Sequence, residues 1–164
     1  MEGGKYSHGE AEGFQDAVLR ILGAVPPERR EHSGVNLMGI SVNHLRWWDT
    51  VADIAGLLEA CGVKVNRCIG AGWSVKDISE SADARLNVVI YPEYGDRVAE
   101  YYAKEHGIPF YVCPEGALAG FAALERTVRD VCSELGKDPS PGLAMIASKR
   151  RSAVRILQDM ERRN

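Results

Sequence analysis

The residues with chemistry to offer collect in two short stretches. In the first, Ser41-Val42-Asn43-His44-Leu45-Arg46-Trp47-Trp48, one hydroxyl, one imidazole, one guanidinium and two indoles stand close together. Such a set suits a ligand shelf or a subunit contact, because Trp and Arg dominate interface hot spots. The competing reading packs a Trp beneath the following helix, Trp48 more so than Trp47. The second stretch, Tyr91-Pro92-Glu93-Tyr94, offers a phenol and a carboxylate to line a pocket. Its plainer reading is a proline that stops a strand, with Glu93 in solvent. Ser41, His44, Trp73, Tyr91 and Glu93 are the pocket-lining candidates, and Arg46, Trp47 and Trp48 the interface candidates. No catalytic residue is assigned.

Other chemical signals are weaker. Gly70-Ala71-Gly72 begins like a dinucleotide fingerprint, but Val75 stands where the third glycine belongs and the motif follows the second strand. It reads as a glycine turn. No Walker A sequence occurs. His8, His32, His44 and His106 lack a His or Cys partner at metal-ligand spacing. His106 precedes a helix-ending glycine, where an imidazolium suits the dipole. Cys61, Cys68, Cys113 and Cys132 form no C-x-x-C pair. Cys68 and Cys113 fall at strand ends, while Cys61 and Cys132 read as small hydrophobes at helix ends. The expectation is a reduced, cytoplasmic protein with no metal ligands of its own.

The elements that position these residues alternate. Val35–Ser41, Val63–Cys68, Leu86–Ile90 and Pro109–Cys113 are short apolar runs of strand length. Between them lie helical patterns: Val51, Ile54, Ala55 and Leu58 after an N-cap at Asp49 or Thr50, a short helix opened by Ser74 with Asp77 as its capping-box partner, and Val98 to Glu105 closed by Gly107. Leu118 to Leu135 and a helix opened by Ser140-Pro141 follow. Upstream, Phe14, Ala17, Val18, Ile21 and Leu22 mark one apolar helix face ending at Pro26-Pro27, and residues 28–34 read as a solvated linker. Alternating strands and helices predict an α/β fold: a three-layer, four-stranded parallel sheet of Rossmann-like or flavodoxin-like type with an extra C-terminal helix. Ligands of such sheets bind beyond the carboxyl ends of the strands. That rim would be built from residues 41–47, 69–74, 91–95 and 114–117. The expected organisation is a lead-in over 1–34 with one helix, the α/β domain over 35–136, and a long terminal helix over 137–164.

Composition removes several classes. The 164 residues are 45% hydrophobic and 26% charged with a net charge of -3, which excludes a disordered tail and disfavours nucleic-acid binding. No apolar stretch is long enough for a membrane span, and Met1-Glu2-Gly3-Gly4-Lys5 does not read as a signal peptide. The last helix carries Lys149, Arg150, Arg151, Arg155, Arg162 and Arg163 against Asp159 and Glu161. A solvated face is its default reading, but its apolar stripe extends beyond the domain and predicts a contact outside this chain, a homodimer through this helix included.

The order of "VNLMGIS", "LLEACGVKVNRCIGAGWSVKDISESADARLNVVIYPEYG" and "AEYYAKEHGIPFYVCPEGALAGFAALERTVRDV" resembles the middle Rossmann-like domain of nitrogenase component 1 type oxidoreductases. Gly4-Lys5-Tyr6-Ser7-His8-Gly9 with Gly13-Phe14 is similar to the segment leaving that family's first domain, and the helix from Pro141 to the one leading into its third. The resemblance implies one domain of a larger reductase subunit, inactive alone, whose rim borders an iron-sulfur or related metal cluster or a substrate pocket. It implies a homologous component 1 subunit and an ATP-dependent iron protein as partners. Where cofactor-holding subunits of the family carry a cysteine after the third strand, this sequence has Tyr91, or Ile90 if the register slips by one, and neither is a thiolate, so cluster ligation from that place is not implied. A stand-alone flavodoxin-like binding or regulatory module acting through residues 44–48 is the alternative.

Overall fold

The computed structural model describes residues 9–28, 33–114 and 119–162. In chain order these form α1 (Glu10–Ala24), β1 (Val35–Ile40), α2 (Trp47–Ala60), β2 (Val65–Gly70), α3 (Val75–Ser79), a turn of 3-10 helix at Ser81–Asp83, β3 (Leu86–Val89), α4 (Pro92–His106), β4 (Phe110–Val112), α5 (Phe121–Leu135) and α6 (Ser140–Glu161). The strands make one parallel sheet in the order β2-β1-β3-β4. β1 and β3 are buried along their whole length, which is why they read as near-continuous apolar runs.

Each face of the sheet has its own core. Leu37, Ile40 and Val88 pack with Leu57 and Leu58 of α2, Val131 of α5 and Ile146 of α6. Met38, Ile69 and Val89 pack with Val18 and Leu22 of α1 and with Ala99 and Tyr102 of α4. Two polar side chains lie inside the sheet. The Asn36 amide nitrogen donates to Asn87 Oδ1 at 3.0 Å and to the Ser81 carbonyl at 2.8 Å, tying β1 to β3 and to the 3-10 turn. All four cysteines are free thiols, and among the described residues no helix is long and apolar enough to cross a membrane.

The fold class is as expected, with local departures that have physical causes. β2 starts at Val65 rather than Val63, because the Val63 N–H still donates to the Leu58 carbonyl in the cap that ends α2. α2 starts at Trp47, ahead of the expected Asp49 or Thr50 cap. Arg46 takes a left-handed conformation with φ 54°, and its carbonyl accepts the Asp49 and Thr50 N–H groups. The buried face of α1 is Gln15, Val18 and Leu22, whereas Ala17 and Ile21 face outward. α3 carries the expected capping box between Ser74 and Asp77, and a proline stands in the first turn of both α4 and α6, as the first residue of α4 and the second of α6. Residues 1–8 of the upstream segment, 29–32 of the linker and 115–118 of the rim and helix readings lie outside the described residues.

Candidate functional site

Strand order reverses at β1, which pairs with β2 on one side and β3 on the other. The crevice above the ends of β1 and β3 is therefore the place where this architecture binds ligands. Its floor is backbone. Gly39 has φ +82°, and a Cβ there would stand 2.3 Å from the Tyr91 carbonyl oxygen. A Cβ on Gly95, in the first turns of α4, would stand 2.8 Å from the Gly39 nitrogen. Only glycine on both sides lets α4 settle this closely on the end of β1.

Past Ile40 the chain folds back on itself. The His44 N–H donates to the Ser41 carbonyl at 3.1 Å, the Asn43 N–H donates to Ser41 Oγ at 3.2 Å, and the Ser41 N–H donates to His44 Nδ1 at 3.2 Å. Because Nδ1 accepts, the neutral ring carries its proton on Nε2. The imidazole is gripped edge-on by two phenol rings, Tyr91 at 4.6 Å between centroids and Tyr94 at 4.7 Å. Tyr94 sits three residues past Tyr91 at the start of α4, so both rings reach the same side. The phenol of Tyr91 is held above its ordinary value by partial burial and then by the Glu93 carboxylate. That of Tyr94 is raised by desolvation, then by Glu10 and Glu93.

α1 closes one flank of the crevice. Phe14 meets Tyr94 edge-to-face at 5.7 Å and lies over Gly70, where a Cβ would approach its ring to 2.6 Å. Glu10 accepts from the Asn43 amide at 3.1 Å. Buried Gln15 spans both helices: its amide donates to the Glu93 carbonyl and its oxygen accepts the Arg97 N–H, each at 2.9 Å.

Of the sequence candidates, the structure brings together Ser41, His44 and Tyr91. Glu93 enters through its backbone carbonyl, with its side chain exposed. Trp73 is half-buried against the core on the α1 and α4 side. Trp47 and Trp48 exchange the expected roles. Trp47 packs on the core and over Gly72, while Trp48 is 57% exposed because α2 begins earlier than its sequence suggested. Arg46 is exposed and ion-paired to Asp49. Sequence reading missed Tyr94, Glu10, Phe14 and Gln15. The spacing of Tyr94 from Tyr91 was a usable signal, but nothing local marks a buried Gln on a helix that precedes the sheet.

The rim is bordered by apolar side chains left exposed among the described residues: Val42, Leu45, Trp48 and Val75 are 58%, 91%, 57% and 68% exposed. Among the described residues no group of three His, Cys, Asp or Glu could hold a metal ion. Burial pushes the Cys113 thiol up to about 11 and the Cys68 thiol up to about 12, so neither presents a thiolate. The wall thus offers aromatic edges, an imidazole N–H and apolar surface, and does not fit a cluster-ligand set.

A family profile described as "Nitrogenase component 1 type Oxidoreductase" matches residues 2–163. The chain belongs to this family. The B subunit of light-independent protochlorophyllide reductase from Methylobacterium radiotolerans is 31% identical over 143 residues, covering 85% of this chain and 26% of that protein. The corresponding protein of Rhodopseudomonas palustris is 30% identical over 154 residues, covering 88% and 28%. The component 1 fold is likewise seen in the solved structure "Nitrogenase Cp1 at pH 5". It superposes with a TM-score of 0.67 at 17% identity, over 95% of this chain and 30% of that one. The chain therefore spans little more than a quarter of the length of the curated relatives it matches.

Proposed function

We propose that this chain serves as the middle Rossmann-like unit of a nitrogenase-like reductase subunit, akin to the B subunit of protochlorophyllide reductase. Its rim forms one wall of the enclosure in which a substrate or metal cluster is held. The observation that carries this reading is the set of exposed apolar side chains at the carboxyl-end rim, Val42, Leu45 and Trp48 after β1 and Val75 after β2, beside the His44–Tyr91 contact. Apolar side chains clustered at a ligand-binding edge mark a surface that another surface covers. Residues 1–34 and 137–164 are read as connections to neighbouring domains. The far half of α6 supports that, with Ile156, Leu157 and Met160 each about 60% exposed.

The described residues of this chain offer no cluster ligands, so in this reading an iron-sulfur or related cluster would be held by ligands from outside it. This chain's residues exclude water and orient the bound molecule. His44 presents its Nε2–H, fixed by the Ser41 amide, and Tyr91 and Tyr94 hold the ring. The complete protein would act with a homologous component 1 subunit and receive electrons from an ATP-dependent iron protein.

The test is anaerobic co-purification of this chain, in its complete reading frame, with a component 1 partner subunit, followed by iron, sulfide and reductase assays with an iron protein. The reading expects cluster iron and activity in the complex, both lost in Leu45→Glu/Trp48→Glu while the circular dichroism of the chain is unchanged. A monodisperse chain that takes up no partner, or full activity in that variant, would overturn it.

A further inference from the structure

At the opposite end of the sheet, below the N-terminal ends of the strands, Lys64, Arg85 and Lys137 ring a concavity of about 260 Å³ floored by Gly34, Gly62 and Leu135. We propose that it binds a small, multiply charged oxyanion. The three cations come from separate segments: Lys64 just before β2, Arg85 just before β3 and Lys137 just past α5. Among the described residues no carboxylate lines the concavity, and none of the three side chains has an ion-pair partner. Glu59 lines an adjoining depression that shares Gly62, Val63 and Lys64 with this one.

The alternative is that the cations merely neutralise helix ends, because α2 and α5 both finish here. Magnitudes argue against that being the whole account. Two helix C-termini present roughly half a negative charge each, leaving a positive excess of roughly two charges. This excess runs against the chain's overall charge of -3. Arg85 precedes a strand and serves no helix end. The volume lies just below the range of about 300–1,000 Å³ typical of drug-sized ligands. It suits an inorganic phosphate, a pyrophosphate or a compact tricarboxylate rather than a nucleotide.

Amide-resolved NMR titration of the whole chain with phosphate, pyrophosphate and citrate, each against sodium chloride of matched ionic strength, tests the site. Saturable shifts are expected at the amides of Gly34, Gly62, Lys64 and Arg85, with pyrophosphate tighter than phosphate. Arg85→Gln should weaken binding roughly tenfold, the worth of one charge-assisted contact. Shifts that follow ionic strength alone, or an unchanged affinity in Arg85→Gln, overturn the proposal. So does a wild type without saturable shifts in which Lys137→Gln lowers the melting temperature, since that pattern assigns the cations to the helix ends.

Discussion

The backbone N–H of Ser41 donates to Nδ1 of His44 at 3.2 Å. This bond joins the last buried residue of the β1 end to the first large side chain of the rim. It decides which ring nitrogen can face a ligand: with Nδ1 occupied as acceptor, Nε2 is the donor. Tyr91 and Tyr94 then hold the ring plane, so position and tautomer are set by different neighbours.

Long-range nitrogen–proton NMR of the neutral ring should show Nε2 protonated and Nδ1 bare. His44→Ala leaves the Ser41 N–H without its acceptor, and urea unfolding should register a loss of about 1–2 kcal/mol. His44→Asn places an amide oxygen near the position of Nδ1 and should recover part of that loss. A ring protonated on Nδ1 would contradict the assignment.

The glycine contact at the crevice floor predicts a graded series. Gly39→Ala combines a φ of +82° with a Cβ 2.3 Å from a carbonyl oxygen, and Gly95→Ala drives a Cβ to 2.8 Å from the Gly39 backbone. Each should cost about 2–3 kcal/mol. At Gly56, in α2, a Cβ would meet nothing within 4 Å, so Gly56→Ala should stabilise by about 0.5–1 kcal/mol through helix propensity. Chemical denaturation of the three variants checks both signs.

The thiols predict an alkaline limit. Burial raises Cys113 to about 11 and Cys68 to about 12. Cys132 is also raised, first by burial and then by neighbouring Cys61. A folded pKa above the unfolded one means the stabilisation is complete below the unfolded value and is lost as pH climbs toward the folded value. Stability should therefore hold to about pH 8.5, the ordinary thiol value, and then fall toward pH 11–12. Each buried thiol contributes a slope of up to about 1.4 kcal/mol per pH unit. Cys113→Ala should flatten the urea-unfolding profile over that window, and native Cys113 should react slowly with thiol reagents at neutral pH.

Much of this architecture was legible in the residues because the physics is local. Val35–Ile40 and Leu86–Val89 are buried on both sides and must be apolar throughout, and Ser74 and Asp77 cap α3 within four residues. That Ser41, His44 and Tyr91 come together was legible for a topological reason, since parallel strands deliver their ends to one rim. What was not legible depends on distant packing. The left-handed Arg46 brings the N-cap of α2 three or four residues ahead of Asp49 or Thr50 and swaps the burial of Trp47 and Trp48, and no neighbouring residue announces it. Gln15 looks like an exposed helix position until α4 arrives 78 residues later to supply the Glu93 carbonyl.

That paired amide on Gln15 has a mechanical corollary. Apolar helix contacts can slide and re-seat, but a side chain that both donates to and accepts from the backbone of α4 permits a single rotational setting of α1. Turning α1 by one position, about 100°, would break both bonds and carry Phe14 and Glu10 away from the His44 loop. The helix that comes before the sheet in the chain is thereby held in register with the His44 loop at the end of β1.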